Sequence, residues 1–150
     1  MALRCESTVT IDKPPPEIFP WLLDVDKVPQ WMSGLRVYEP LDPGPFHIGS
    51  RIRQELDVSG QQLQFVLQVT QLDPPHRAEL QFAGSGFEAA NGYGVADADG
   101  GSRVTWVVAG ELTSFRAKLL APMVQAKLQE KIVEDLARLR ALLEGEATAA

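Results

Sequence analysis

The hydrophobic pattern of this chain changes from a period of two to a helical period near Ser114, and that change limits the folds it can form. Between Leu35 and Leu112, apolar and polar residues alternate in short runs that end at turn signals, as half-buried strands do. From Ser114 to Glu144, apolar residues recur every three or four positions, as on one face of a helix. The first pattern predicts about six consecutive strands in an antiparallel meander, because no connection is long enough for a crossover helix. The second predicts one long C-terminal helix.

The segment before this meander contributes one strand and two short helices. Leu3 to Ile11 alternates in part and predicts an edge-forming first strand. The prolines at 14–16 end this strand and suit a first helical turn, where the missing N–H would have no partner. Apolar residues between Ile18 and Met32 then form two short helical faces separated by an acidic turn. The predicted class is therefore α+β, with seven strands in all.

Two features of the long helix bear on its packing. Pro122 predicts either a kink or a division into a short lead-in and a main body, and Thr113 or Ser114 is placed to cap the start. The apolar stripe predicts a buried face made of Leu120, Val124, Leu128, Ile132, Leu136, Leu139 and Leu143. The charged residues are expected on the solvated side, namely Lys118, Lys127, Glu130, Lys131, Glu134, Asp135, Arg138 and Arg140.

Length, charge and cysteine content exclude several classes of protein. With 150 residues the chain suits one domain, expected over 1–145 with a frayed tail at 146–150. A net charge of −6 argues against nucleic acid as a partner, since phosphate binding needs clustered cations. No apolar run approaches the roughly 20 residues of a membrane span, although transient membrane contact is compatible with the sequence. A lone cysteine and an N-terminus without a signal-peptide core favour a cytoplasmic location, and oligomeric state is left open.

The chemical inventory predicts no metal, no cofactor and no catalytic residue. His47 and His76 lie in separate turns without a cysteine or second histidine at metal-ligand spacing. Cys5 has no neighbouring base, and Ser85 lies between two strands rather than at the strand-to-helix turn of a nucleophile elbow. A tight hairpin at Gly84–Gly86 is therefore expected instead.

Several short stretches resemble the START-like, birch-pollen-allergen-like helix-grip superfamily, which includes the polyketide cyclase/dehydrase and lipid-transport families. In this sequence they are Glu17–Phe19, Trp21–Asp24, Val28–Met32, Gly49–Arg51, Pro74–Arg77 and Gly100–Thr105. Their order and spacing cover nearly the whole chain. The resemblance implies a helix-grip fold, in which a seven-stranded curved antiparallel sheet wraps around the C-terminal helix and leaves an apolar cavity between them.

Given that fold, the inward-facing side chains predict a ligand cavity. Its expected residues are Trp31, Gln54, Phe65, Leu67, Leu80, Phe82, Phe87, Asn91, Tyr93, Trp106, Leu120 and Met123. Gln54 and Asn91 are the polar residues in phase with this face, and a buried amide must find a partner, water or a ligand. Two alternatives stay open: the interior is a packed core rather than a void, and a bulge turns the two amides outward.

Trp31 has two interpretations at this stage. A large indole on a short helix either seals the end of the core or swings aside to admit a ligand. The resemblance places the short helices and the turns at Asp42–Phe46 and Gly84–Gly86 around the opening.

Three functions are compatible with these observations. The favoured hypothesis is a binding or carrier protein for a small hydrophobic molecule, such as a lipid, an isoprenoid or a polyketide-like aromatic. The alternative is an aromatase/cyclase-type enzyme acting in the same cavity, with an acid or base drawn from Arg53, Glu55, Glu88 and Tyr93. The third is binding of a partner protein through the charged side of the long helix.

Overall fold

The computed structural model describes residues 2–145, and the tail predicted at 146–150 lies outside them. In chain order the elements are β1 (Ala2–Ile11), α1 (Pro15–Ile18), a 3₁₀ turn (Phe19–Leu22), α2 (Val28–Trp31), β2 (Leu35–Pro40), β3 (Arg51–Val58), β4 (Gln61–Asp73), β5 (Arg77–Gly84), β6 (Phe87–Ala98), β7 (Gly101–Leu112), α3 (Phe115–Leu119) and α4 (Ala121–Leu143). No helix within the described range is long and apolar enough to cross a membrane.

The seven strands form one antiparallel sheet in the order β1-β7-β6-β5-β4-β3-β2. The predicted meander is confirmed, and β1 lies at an edge as expected. Ile132, Leu136 and Leu139 of α4 are completely buried and belong to the same hydrophobic core as the strands. The helix-grip architecture implied by the resemblance is therefore the observed one.

Two tight hairpins lie side by side at one end of this sheet. The central residues Ser59 and Gly60 have φ of 50° and 81°, and Ser85 and Gly86 have φ of 48° and 87°. Positive φ at both central positions is typical of the two-residue turn whose twist matches the strands. Gly86 is required for a second reason, because a Cβ atom there would lie 2.6 Å from the Ser114 hydroxyl. This close approach places the β5–β6 hairpin directly against the start of α3.

Pro122 divides the C-terminal helical region, as predicted. α3 ends at Leu119, and the proline occupies the first turn of α4, where its missing N–H leaves no helical bond unmade. Ser114 caps α3, with its hydroxyl accepting a 3.0 Å hydrogen bond from the Ala117 amide.

The charged side of α4 differs from the prediction at two positions. Lys131 and Asp135, expected in solvent, are 8% and 0% exposed. The segment after α2 covers this part of the helix, and the backbone and side chain of Ser33 bind both charged groups. The assignment of these two residues to the solvated side was wrong because a distant segment hides them.

The outer edge of β1 is covered by two glutamines one turn apart on α4. The amide of Gln125 bonds both the N–H and the C=O of Arg4, and the amide of Gln129 does the same with Glu6. An uncovered edge strand is a template for pairing with another chain. Here the helix supplies the missing partners and holds its own N-terminal half against the sheet.

Candidate ligand-binding site

A cavity lies between the concave face of the sheet and α4. Its volume is about 50 Å³, and it is lined by Met32, Gln54, Leu56, Val58, Leu63, Phe65, Phe82, Phe87, Asn91, Trp106, Val108, Leu128 and Lys131. Three aromatic rings form much of one wall. The ring centroid of Phe65 lies 4.8 Å from that of Phe82 and 5.7 Å from that of Phe87, both in edge-on contact. Edge-on contacts of this kind are a preferred packing of aromatic rings.

Two amide side chains line this apolar cavity and have N–H groups that can still donate hydrogen bonds. Asn91 accepts a 2.9 Å hydrogen bond from the Trp106 indole through Oδ1, which directs its NH₂ group elsewhere. The Gln54 amide nitrogen lies 3.5 Å from the sulfur of Met32, and a thioether is a weak acceptor. Both residues are more than nine-tenths buried. They are therefore suited to bind an oxygen atom of a molecule held in the cavity.

Lys131 also borders the cavity, but its ammonium group is already satisfied. It donates to Asp135, to the Ser33 carbonyl at 2.7 Å and to the Ser33 hydroxyl at 3.2 Å. Burial lowers its pKa, and the adjacent Asp135 carboxylate opposes that effect. With three acceptors for three N–H groups, Lys131 ties α4 to the segment after α2 rather than presenting a free cation.

A surface groove of about 230 Å³ adjoins the cavity at the end where the two hairpins lie. Val58, Leu63 and Phe87 line both spaces, so these three side chains form the partition between them. The remaining residues around the groove are Ser59, Gln61, Ser85, Ser114, Arg116, Ala117, Leu120, Met123, Val124 and Lys127. We call the groove and its rim the open end of the molecule.

The predicted site residues separate into three groups. Those that line the cavity are Gln54, Phe65, Phe82, Phe87, Asn91 and Trp106. Leu120 and Met123 border the groove instead, because α3 and the first turn of α4 lie outside the partition. Trp31, Leu67, Leu80 and Tyr93 are buried in the core without lining either space.

Trp31 lies beneath the cavity in a layer of aromatic rings. Its side chain is completely buried, and its indole N–H donates a 2.7 Å hydrogen bond to the Trp21 carbonyl. The Trp31 and Trp106 rings meet edge to face with centroids 5.6 Å apart, and Tyr93 packs on Trp106 at the same distance. We call this layer, together with the Lys131–Asp135 pair, the closed end.

The two turns expected around one opening lie at opposite ends of the sheet. Ser85 bonds the backbone of Gln64 near the start of β4, whereas Asp42 bonds Arg51 at the start of β3. Because β3 and β4 are antiparallel, their starting residues are far apart. The Gly84–Gly86 turn borders the groove described above. Phe46 of the other turn borders a separate depression beside Phe19 and Leu23.

Several cavity residues were absent from the predicted set. They are Met32, Leu56, Val58, Leu63, Val108, Leu128 and Lys131. Leu56 and Val58 follow Gln54 in the same strand phase, and Leu63 precedes Phe65 in its own, so the alternation contained the signal for these three. The sequence pattern did not indicate that Lys131 would line the cavity.

The residues considered for acid–base chemistry lie outside the cavity. Arg53 forms ion pairs with Glu39 and Glu55 away from it, and Glu88 lies at a hollow on the outer face of the sheet. Tyr93 is buried behind Trp106, and burial raises its pKa well above the usual value. None of the four lines the cavity.

Comparison with known proteins identifies the family. The sequence model described as polyketide cyclase/dehydrase and lipid transport matches residues 2–144. This chain belongs to that family. The match agrees with the resemblance found in the short sequence stretches and with the helix-grip fold. A search of curated proteins finds no match.

Solved structures share the fold of this family member at low sequence identity. The Zhui aromatase/cyclase from Streptomyces sp. R1128 has a TM-score of 0.80 at 16% identity, covering 98% of this chain and 96% of that one. The protein TTHA0849 from Thermus thermophilus has a TM-score of 0.78 at 19% identity, covering 97% and 98%. Ara h 8.0201 has a TM-score of 0.67 at 15% identity, covering 97% and 99%. At these identities the likeness concerns the fold alone.

Proposed function

We propose that this protein binds and carries a small hydrophobic molecule that has at least one hydrogen-bond-accepting oxygen, without covalent chemistry. The supporting observation is an apolar cavity in which Gln54 and Asn91 keep spare N–H donors. Such a lining resembles typical ligand sites, where a few polar groups orient an otherwise apolar molecule. A lipid, an isoprenoid or a polyketide-like aromatic with a carbonyl or hydroxyl group has this chemistry.

Binding requires the partition between cavity and groove to move. Typical sites for molecules of this size have volumes of about 300 to 1,000 Å³, and the cavity has about 50 Å³. The adjoining groove adds about 230 Å³ once the side chains between them rotate. Phe87 and Leu63 are only partly buried and lie next to the hairpins, so they are the residues expected to give way.

The alternative function, an aromatase/cyclase, lacks a supporting acid or base at the cavity. A general base must come within hydrogen-bond reach of the substrate, and Arg53, Glu55, Glu88 and Tyr93 are not among the lining residues. Lys131 is the ionisable side chain that does line the cavity, and three acceptors hold its ammonium group. The carrier function therefore fits the geometry better.

The direct test is native mass spectrometry of the purified protein, in which a bound hydrophobic molecule is expected to add a discrete mass.

A matched pair of variants then tests whether the Gln54 amide binds the ligand. Gln54→Leu removes the cavity amide, and Gln62→Leu makes the same change at an exposed position on β4. We expect Gln54→Leu to weaken binding of the ketone-bearing dye prodan about tenfold, the loss of one hydrogen bond. Binding of 1-aminoanthracene, which lacks the ketone, should change little.

Three results would contradict the proposal. One is a folded wild-type protein that binds neither dye and carries no added mass, which would make the interior a packed core. Another is an equal effect of Gln54→Leu and Gln62→Leu on both dyes, which would remove Gln54 from the site. Turnover of a poly-β-ketone substrate that depends on Lys131 would favour the enzyme instead.

A further inference from the structure

The two most exposed large apolar side chains among residues 2–145 lie beside the groove. Phe115 is 82% exposed and Leu119 is 69% exposed, and they are one helical turn apart on α3. Leu120 and Met123 follow at 37% and 52% exposure. Single exposed apolar residues are normal on any protein, but four within residues 115–123 form a concentration that marks an interaction surface.

The α3 helix contributes no buried residue to the core. Packing within the protein therefore does not explain why two of its positions carry the large apolar side chains of Phe115 and Leu119. Ala117, between Phe115 and Leu119, lines the groove together with Arg116 and packs partly against the core. The opposite side of the helix is left for a partner outside the chain.

The same region is basic in a protein that is acidic overall. Arg116, Lys118 and Lys127 lie between Leu112 and Gln129, a stretch without a single Asp or Glu, while the whole chain has a net charge of −6. Arg116 and Lys127 line the groove, and no carboxylate is among its lining residues. A locally positive, apolar surface is complementary to a negatively charged and partly apolar partner.

We propose that this region docks on a membrane that contains anionic lipids. The docking surface, which we call the mouth surface, consists of Phe115, Arg116, Lys118, Leu119, Leu120 and Met123. Phe115 and Leu119 enter the boundary between head groups and acyl chains, and the cations pair with lipid phosphates. This combination of an apolar face and basic residues is how interfacial helices bind anionic bilayers.

A second copy of the chain fits the mouth surface less well. A symmetric dimer places the same patch on both subunits face to face, so that the arginine and lysines of one copy meet those of the other. No acidic side chain within 112–129 is available to pair with them. Lipid phosphate supplies the missing negative charge.

Docking in this orientation would open the groove toward the acyl chains. The groove shares Val58, Leu63 and Phe87 with the cavity, so a hydrophobic molecule could pass from bilayer to cavity without crossing water. This passage rests on the proposed carrier function. The docking itself does not, and it is tested separately.

The test is flotation of the protein with phosphatidylcholine vesicles and with vesicles of equal parts phosphatidylcholine and phosphatidylglycerol. We expect binding to the anionic vesicles that weakens as salt is raised. Phe115→Ser with Leu119→Ser should reduce binding at least tenfold, and Arg116→Gln with Lys118→Gln should do the same, since each basic residue near the surface contributes about fivefold. Both pairs change exposed residues, so thermal melts should match the wild type.

Matched controls lie at the opposite end of the sheet. Ile48→Ser removes an apolar side chain that is 63% exposed, and Arg77→Gln with Arg103→Gln removes two exposed cations. Neither change should affect vesicle binding. The proposal is overturned if the wild type does not float with anionic vesicles, or if the control variants weaken binding as much as the mouth-surface variants. Concentration-dependent dimerisation abolished by Phe115→Ser with Leu119→Ser would overturn it in favour of a second copy. Intact dye binding alongside any of these results would leave the carrier function standing.

Discussion

The closed and open ends of the cavity differ in burial although one helix forms part of both. At the closed end, Ile132, Leu136 and Asp135 of α4 are completely buried. At the open end, Met123 of the same helix is 52% exposed, and the short α3 before it has no fully buried residue. The apolar repeat continues through both halves, so the helix sequence alone does not explain the difference.

The two halves of α4 differ in which segment of the chain covers them. The segment after α2 lies over the C-terminal half, where Ser33 binds Lys131 and Asp135 and the Trp31 carbonyl accepts from Arg138. The N-terminal half is held to the edge of β1 by Gln125 and Gln129 and has the tips of two hairpins beside it, but no segment like the one after α2 lies over it. Few buried contacts are typical of regions that open locally at little cost. We therefore expect the closed end to supply stability and the open end to supply access.

The largest expected effect comes from removing the central indole of the closed end. Trp31→Ala should lower the free energy of unfolding by about 3 to 5 kcal/mol, because it leaves a cavity and frees the Trp21 carbonyl. Phe115→Ala at the open end removes a comparably large ring that is 82% exposed, and should change stability by no more than about 0.5 kcal/mol. Urea melts of both variants and the wild type measure these changes in the free energy of unfolding.

Stopped-flow binding of a hydrophobic dye separates a stabilising role of Trp31 from a gating role. If Trp31 only supports the closed end, dye association and dissociation rates in the variant should stay near those of the wild type. A gate would instead speed both rates together while leaving affinity and stability nearly unchanged. That outcome would reverse our assignment of the two ends.

The second effect concerns the buried ion pair. Asp135→Asn keeps the shape of the side chain but leaves the Lys131 ammonium without its counter-charge, and should cost about 3 kcal/mol. Glu130→Gln, on the exposed side of the same helix, should cost less than about 0.5 kcal/mol. The double variant Lys131→Met with Asp135→Leu should recover most of the loss, because it removes both buried charges.

Equal melts for Asp135→Asn and Glu130→Gln would show that solvent reaches the pair. The closed end would then be less tightly covered than its contacts with Ser33 indicate. A double variant less stable than Asp135→Asn alone would show that the pair itself, and not the unpaired charge, stabilises this end.

Local sequence patterns predicted the strands and turns correctly, whereas features that depend on contacts between distant segments were predicted wrongly or not at all. Strands such as Leu63–Val69 and the turn at Ser85–Gly86 follow from alternation and from residues that accept positive φ. Lys131 and Asp135 are spaced i, i+4 like an exposed pair, and only the path of the chain around Ser33 hides them. The placement of the two turns depended on which strand ends coincide, which is why Asp42–Phe46 and Gly84–Gly86 were expected around one opening although they lie at opposite ends of the sheet. Cavity size depends on side-chain packing at Phe87, on which strand periodicity carries no information.

The smallest expected effect is a difference in stability at alkaline pH, and it tests whether water is excluded from the closed end. Burial raises the pKa of Tyr93 well above its usual value, with Tyr38 and Asp135 adding to the shift. Below about pH 10, both the folded and the unfolded chain hold this proton, so its contribution to stability is complete. Above about pH 10 the unfolded chain loses the proton while the folded chain keeps it, and the free energy of unfolding should fall by up to about 1.4 kcal/mol per pH unit. Lys131 acts in the opposite direction: burial lowers its pKa, so between that lowered pKa and about pH 10.4 the free energy of unfolding rises with pH. Tyr93→Phe keeps Lys131, so the difference between wild-type and variant urea melts at increasing alkaline pH isolates the tyrosine. The variant should lose stability less steeply than the wild type, and parallel curves would mean that water reaches the Tyr93 hydroxyl.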